Sequence, residues 1–372
     1  MVWDIFCRVI DHHGDLGVCW RLAADLASRG ERVRLWVDDP LALAWMAPHG
    51  AAGVSVIRWV EPLPAYAPGD VVVEAFGCHP PPAFVERMAQ AATPPVWIDL
   101  EYLSAEGYAE RSHGLASPQS HGPGAGLTRW FFFPGFTSDS GGLLRDAQAV
   151  SVGVSLAVAR ERARHALGAI GLAALPRERI VSLFAYADAP MAALFDRLDS
   201  EPTLLLLAAG AAQAPALALF DAAGRRGRHL RARTVPWLDQ PGYDRLLRAC
   251  DLNFARGEDS IVRCMWAGAP FVWHIYKQAD NAHAAKLEAL LDRLTSGADV
   301  ALADGVRKLW RAWNGLGDWP AELPTELPNI APWQALCQAW RDRLVAQTDL
   351  CTRLMHFASS QALAGDPTPG ER

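Results

Sequence analysis

The stretch VWDIFCRVIDHHGDLGVCWRLAADLASRGERVRLWV, residues 2–37, decides the fold. Residues 2–10 are mostly apolar, as expected of a strand buried on both faces of a parallel sheet. In residues 18–29, Val18, Leu22 and Leu26 fall at i, i+4 and i+8 and line one face of a helix. Gly30 supplies the stop, and a second strand begins at Val33. Strand, helix and strand with short connections make a βαβ unit, which implies parallel pairing and a right-handed crossover.

Working outward, DVVVEAF (70–76) and PVWID (95–99) read as further buried strands. From Ser112 the chain turns rich in Gly, Ser and Pro, through SHGLASPQSHGPGAGLTRW to FFFPGFTSDSGGLL, and predicts a long irregular excursion. Residues 157–172 read as helix, and a second alternation starts at Ile180. Its strands are IVSLFAY, TLLLLAA, HLRARTV, LNFAR and FVWHIY. The expectation is an α/β protein of two facing Rossmann-like domains, 1–172 and 173–345, with a hinge near 170–180. The tail from Pro332 reads as helix, and its last part, about 346–372, is expected to pack back on the first domain.

The 372 residues are 51% hydrophobic and 20% charged, a globular composition with room for two cores. A net charge of −6 argues against a nucleic-acid partner. Seven scattered cysteines without a C-x-x-C pair fit reduced thiols in a cytoplasmic protein. Charges at Asp4, Arg8 and Asp11 argue against a signal peptide, and Gln213 and Pro215 break the one long apolar run, so no membrane association is expected. Nothing in the pattern demands more than a monomer.

Two constellations carry chemistry. The first is the loop 11–17, at the carboxyl end of the first strand, where open α/β sheets bind ligands. Gly14 and Gly17 are expected to let the backbone turn tightly, and His12 and His13 read as polar loop residues facing a substrate. A single aspartate before a helix is commonly just a cap; Asp11 and Asp15, four apart around Gly14, exceed what one cap needs. A dinucleotide site with Asp38–Asp39 on the ribose ranks low, since Gly14-x-x-Gly17 lacks the opening G-x-G and Asp15 repels a pyrophosphate. A metal site ranks low because no distant cluster completes it. A carboxylate pair for a cationic acceptor fits best.

The second is NFARGEDSIVRCMWAGAPFVWHIY, residues 253–276. A helix opening near Asp259 or Ser260 offers free backbone N–H groups to a diphosphate, and Arg256 adds a charge-assisted contact. Glu258, Asp259 and Ser260 can hydrogen-bond sugar hydroxyls. Alone, the motif reads as a capped helix with a solvated arginine. Beside the aspartates of the other domain, it reads as the donor half of a glycosyltransferase of GT-B architecture.

The stretches VIDHHGDLGVCWRLA, WIDLEYLSAEGY, RWFFFPGFTSDSGGL and YDRLLRACDLNFARGEDSIVRCMWAGAPFVWHIYKQADNAHAAKLEALL together resemble the EarP family of bacterial protein-arginine rhamnosyltransferases. The resemblance covers nearly the whole chain. It implies an inverting transfer of L-rhamnose from dTDP-β-L-rhamnose to an arginine nitrogen of elongation factor P, with no metal or other cofactor. It maps the functional acids onto Asp11, Asp15 and Glu258, with Asp15 as general base; the residues alone do not rank Asp11 against Asp15. It places Phe184, Tyr186, Gln240 and Arg256, Gly257, Glu258, Asp259 and Ser260 in the nucleotide-sugar pocket, Phe184 or Tyr186 stacking on thymine. His12 stands where the family commonly has Asn, and Cys264, Met265, Ala269 and Lys277 also depart from its pattern; none removes an acid. The alternative is a GT-B enzyme with another nucleotide-sugar or a small-molecule acceptor.

Overall fold

Asp4 is a charge inside an otherwise apolar central strand, and the fold pairs it fully. Its carboxylate takes two 2.6 Å hydrogen bonds from Arg34, one of 2.8 Å from the Trp36 indole and one of 2.7 Å from the Gly69 N–H. Buried charge is tolerated only when paired in this way. The structure is a computed structural model and describes residues 1–9, 13–60, 62–147, 149–150, 153–224, 229–278, 281–316 and 327–364.

The chain forms two compact units, residues 1–147 with 345–372, and residues 148–344. The N-terminal unit runs β1 (Val2–Cys7), α1 (Gly14–Ser28), β2 (Arg32–Val37), α2 (Leu43–Met46), β3 (Val54–Arg58), β4 (Val71–Ala75), α3 (Pro82–Gln90), β5 (Val96–Leu100), α4 (Gly107–Ser112), β6 (Ala116–Pro118) and β7 (Thr128–Phe132). Its sheet has the order β3-β2-β1-β4-β5-β7-β6, parallel except for β6. The C-terminal unit runs α5 (Leu156–Ala169), β8 (Arg179–Leu183), α6 (Met191–Leu198), β9 (Thr203–Leu207), α7 (Gln213–Ala222), β10 (Leu230–Thr234), α8 (Gln240–Ala249), β11 (Leu252–Arg256), α9 (Glu258–Ala267), β12 (Phe271–His274), α10 (Ala282–Thr295), α11 (Val300–Trp313) and α12 (Ile330–Val345). Its all-parallel sheet has the order β10-β9-β8-β11-β12. The last helix, α13 (Leu350–Ala364), belongs to the N-terminal unit, where Leu350, Cys351, Leu354 and Ala358 join the core of β1, α1 and β4. Two Rossmann-like parallel-sheet units are the domain make-up of the GT-B class expected from the sequence.

In each sheet the strand order reverses once, between β1 and β4 and between β8 and β11. Such a switch point opens a crevice at the carboxyl ends of its two strands. The described part of the first constellation, residues 13–17, lies beside one of them, and the second constellation lies beside the other.

Three expectations need correction. The boundary between the units falls at 147/148, well before 172, because α5 packs through Ala163 and Leu167 into the core that holds Ile180 and Leu246. The excursion after Ser112 is only partly irregular: β7 extends the sheet from β5, and β6 folds back on β7. Finally, β1 ends at Cys7 and α1 begins at Gly14, so Asp15 and Gly17 sit in the helix's first turn. Neither Gly14 nor Gly17 has a positive φ, and the tight turning predicted for them is not how they are used. Gly17 donates its N–H to the His13 carbonyl at 2.9 Å as an ordinary helical residue.

Among the described residues, no helix is long and apolar enough to cross a membrane. All seven cysteines are free and buried.

Candidate active site

At the switch point of the N-terminal unit, His13 takes the N-cap position of α1 but makes no side-chain capping bond. Asp15, half-buried in the first turn, lies where the helix dipole favours a negative charge. It is therefore not the N-cap aspartate that the simplest reading of the loop allows. The Tyr102 hydroxyl donates to Asp15 Oδ2 at 3.3 Å, and the Tyr102 ring stacks on Phe76, centroids 4.8 Å apart. Phe76 follows β4 directly and has φ +59, a backbone region that bulky side chains avoid. Asp38 accepts the Val9 N–H at 2.9 Å and its neighbour Asp39's N–H at 2.9 Å, so it ties down the backbone after β1. Asp11 and His12 lie outside the described residues.

Below this crevice, Glu74, at the end of β4, is fully buried. It accepts a 2.6 Å bond from Arg129, which lies 3.6 Å from Asp99. Burial and the neighbouring Glu74 push the Asp99 carboxyl well above the usual range. Burial also raises Glu101, the residue before Tyr102.

At the switch point of the C-terminal unit, β8 leads into Phe184 and Tyr186, and β11 ends at Arg256. The Arg256 guanidinium carbon lies 4.7 Å from the ring centre of each aromatic. The faces these rings turn to Arg256 therefore hold the arginine, and stacking on a base would have to use other faces. Burial pushes the Arg256 guanidinium below its ordinary value, though not out of the charged state at neutral pH. Its Nη1 is buried and makes no hydrogen bond among the described residues. A buried donor left unpaired costs on the order of 1–3 kcal/mol, which an acceptor oxygen of a ligand would recover.

Gly257, the next residue, is the N-cap of α9 with φ +76, and no side chain caps the helix from that position. Only glycine enters such a backbone without strain. Asp259 and Ser260, expected to open the helix, lie within its first turn, which Glu258 begins. Glu258 forms an ion pair with Lys286 of α10, whose ammonium lies 6.0 Å from the Trp273 ring centre. Gln240 is buried at the first position of α8, beside the cap Asp239, which accepts the Gly242 N–H at 2.8 Å. The Tyr186 N–H donates to His274 Nδ1 at 3.2 Å, which assigns the imidazole proton to Nε2, 3.7 Å from Asp188. Burial keeps His274 neutral down to about 4.

The geometry thus places Asp15, Gly14 and Gly17 at one switch point. It gathers Phe184, Tyr186, Arg256, Gly257, Glu258, Asp259 and Ser260 around the other, with Gln240 opening the neighbouring helix. Sequence reading missed Phe76, Tyr102, Lys286 and His274. The signal for the first two was an aromatic just past the end of a buried strand, in VEAFG and IDLEY. No local signal marks Lys286 as the partner of Glu258. Among the described residues, no group of His, Cys, Asp and Glu side chains is arranged to hold a metal ion.

Comparison with known proteins places this architecture. Residues 3–359 match the family described as Elongation-Factor P (EF-P) rhamnosyltransferase EarP. The chain is 40% identical over 378 residues to the protein-arginine rhamnosyltransferase of Pseudomonas aeruginosa, an alignment covering 95% of this chain and 98% of that one. It is 41% identical over 379 residues to the protein of the same description from Pseudomonas putida, with the same coverage. A solved structure presented as the structural basis for EarP-mediated arginine glycosylation of translation elongation factor EF-P is similar at a TM-score of 0.64 and 31% identity, covering 96% of this chain and 99% of that one. With the family matched from the first strand into the last helix, the chain belongs to the EarP family of protein-arginine rhamnosyltransferases.

Proposed function

We propose that this protein transfers L-rhamnose from dTDP-β-L-rhamnose to an arginine side chain of elongation factor P, with inversion at the anomeric carbon and with no metal or other cofactor. Family membership supports the reaction class. The observation that carries the division of labour is Arg256, whose buried Nη1 makes no hydrogen bond among the described residues and which directly precedes Gly257, the N-cap of α9. A buried guanidinium next to a helix N-terminus suits the diphosphate of a nucleotide-sugar and its charge as a leaving group. Glu258, Asp259 and Ser260 in the same turn suit sugar hydroxyls, and Gln240, Phe184 and Tyr186 the nucleoside.

The acceptor side must solve a different problem. A guanidinium has a pKa above about 12, so a carboxylate with an ordinary pKa near 4 does not deprotonate it in advance. In our reading Asp11 and Asp15 grip the guanidinium and hold its positive charge away from the attacking nitrogen. As that nitrogen bonds to C1 of rhamnose, the C1–O bond to the diphosphate breaks and the departing oxygen keeps the electron pair. Asp15 takes the proton from the nitrogen. The sugar passes through an oxocarbenium-like state, which nearby carboxylates stabilise.

The decisive experiment incubates the protein with dTDP-β-L-rhamnose and elongation factor P and weighs the factor by mass spectrometry. One added rhamnosyl group on one arginine, in the α configuration by NMR, is the expected result; an unmodified factor overturns the proposal. Asp15→Asn should lower kcat at least ~10²-fold while the melting temperature holds, the usual cost of losing a general base.

A further inference from the structure

We propose that Tyr102 is a positioning residue for this reaction, fixing the Asp15 carboxylate through its hydroxyl, and that the strained turn at Phe76 exists to hold Tyr102 in place. The inference rests on the reading of Asp15 as the base. Three elements meet here: α1 brings Asp15, the end of β4 brings Phe76, and the residues after β5 bring Tyr102. The phenolic oxygen is 3.3 Å from Asp15 Oδ2. The ring carrying it lies nearly parallel to Phe76, at 25° and 4.8 Å.

Tyr102 is 40% exposed, so burial alone does not order it. The stack on Phe76 supplies the order. Phe76 is 9% exposed, and its N–H donates to the Leu100 carbonyl at 2.8 Å, which ties the end of β4 to the end of β5. Of the three non-glycine residues with positive φ among those described, Phe76 is the bulky aromatic, and the other two, Arg177 and Asn281, are polar. Such a conformation is strained and persists where the surroundings over-determine it, most often at functional sites. Glycine follows at 77, so a backbone able to turn without strain stands next to one that does not. The ordinary distance for a hydroxyl on a carboxylate is shorter, about 2.5–2.7 Å, so the bond has room to tighten as the acceptor guanidinium docks.

The test measures steady-state kinetics across pH, with the donor varied, for Tyr102→Phe and Tyr102→Leu, each made in the native and in the Asp15→Asn background. Tyr102→Phe keeps the stack and loses only the hydroxyl, so its folding is not at issue. It should lower kcat ~10-fold, the scale of one hydrogen bond to a charged group, and leave the donor KM unchanged. The acid limb of its kcat/KM profile should move to higher pH, because a lost donor disfavours the charged carboxylate. In the Asp15→Asn background the same change should cost nothing further. Native kinetics and pH profile in Tyr102→Phe overturn the inference, as does an equal loss in both backgrounds or an effect confined to Tyr102→Leu. If Asp15→Asn itself turns over normally, the reading of Asp15 as base fails, and the role of Tyr102 with it; a dead Asp15→Asn beside an unaffected Tyr102→Phe sinks the role of Tyr102 alone.

Discussion

Arg256 and His274 show how single side chains are used in the C-terminal unit. The guanidinium of Arg256 rests 4.7 Å from two aromatic rings at once, which exploits its flat, delocalised charge. Lysine cannot reproduce this contact, because an ammonium is a compact, strongly hydrated point charge. Arg256→Lys should therefore raise the donor KM ~10-fold or more in steady-state assays, a loss on the scale of one charge-assisted hydrogen bond. His274 has its value lowered from an ordinary 6.5 to about 4 by burial, opposed by Asp188. The unfolded chain takes up a proton at this residue as the pH falls through 6.5, whereas the folded protein does so only near 4. Stability from His274 is thus complete above 6.5 and is lost progressively between 6.5 and 4. His113, likewise held at about 4 by burial, acts with the same sign in the N-terminal unit. His274→Asn, which keeps an acceptor for the Tyr186 N–H, should flatten the slope of melting temperature against pH in that window and leave it unchanged above pH 7. An unaltered slope would show that the imidazole is not buried neutral.

At the scale of elements, α9 is tied to α8 by a buried ion pair from the middle of the helix. Arg263 and Asp244 form a bidentate ion pair at 3.1 and 2.8 Å, with side chains only 1% and 6% exposed. Removing one member of a buried pair strands the other, at about 3–5 kcal/mol. Asp244→Ala should show that loss in denaturant unfolding. The joint change Asp244→Leu with Arg263→Met should recover much of it, since apolar side chains of similar volume replace buried pairs at little cost. The same scale explains two misread segments. The apolar period of β1 and the i, i+4, i+8 stripe of α1 are local signals, and they were legible. The segments of β6 and β7 lie in and beside a stretch of Gly, Ser and Pro, and their extended form is stabilised by pairing, β7 with β5 from an earlier part of the chain and β6 with β7. Strand propensity of that kind is a property of the neighbour as much as of the segment.

For the molecule as a whole, the N-terminal unit is built from two pieces of chain, with α13 closing a core made mostly by residues 1–147. Arg29 joins them, donating at 2.8 Å to Asp349 and at 2.6 Å to Thr352, while it also pairs with Asp25 at 2.9 Å. Leu354 is fully buried, and Leu354→Ala should cost about 2–5 kcal/mol by calorimetry or denaturant unfolding, as for other core leucines. A chain cut after Leu344 should lose the cooperative unfolding of the N-terminal unit. If the cut chain melted like the intact one, α13 would be an appendage and not part of that core. The helical tail and its return to the first domain were expected from the sequence; the place where the chain leaves that domain, at 147/148, was not. Hydrophobic period, glycine stops and first-turn acids act over a few residues, so the string of letters was enough for two parallel α/β units, an acidic turn after the first strand, and an RGEDS turn after a later one. The partnership of Asp15 with Tyr102 spans 87 positions, and that of Glu258 with Lys286 spans 28. Such pairs exist only once strands have been ordered across a sheet and helices laid on it, because their energy comes from distant segments meeting and leaves no period in the chain.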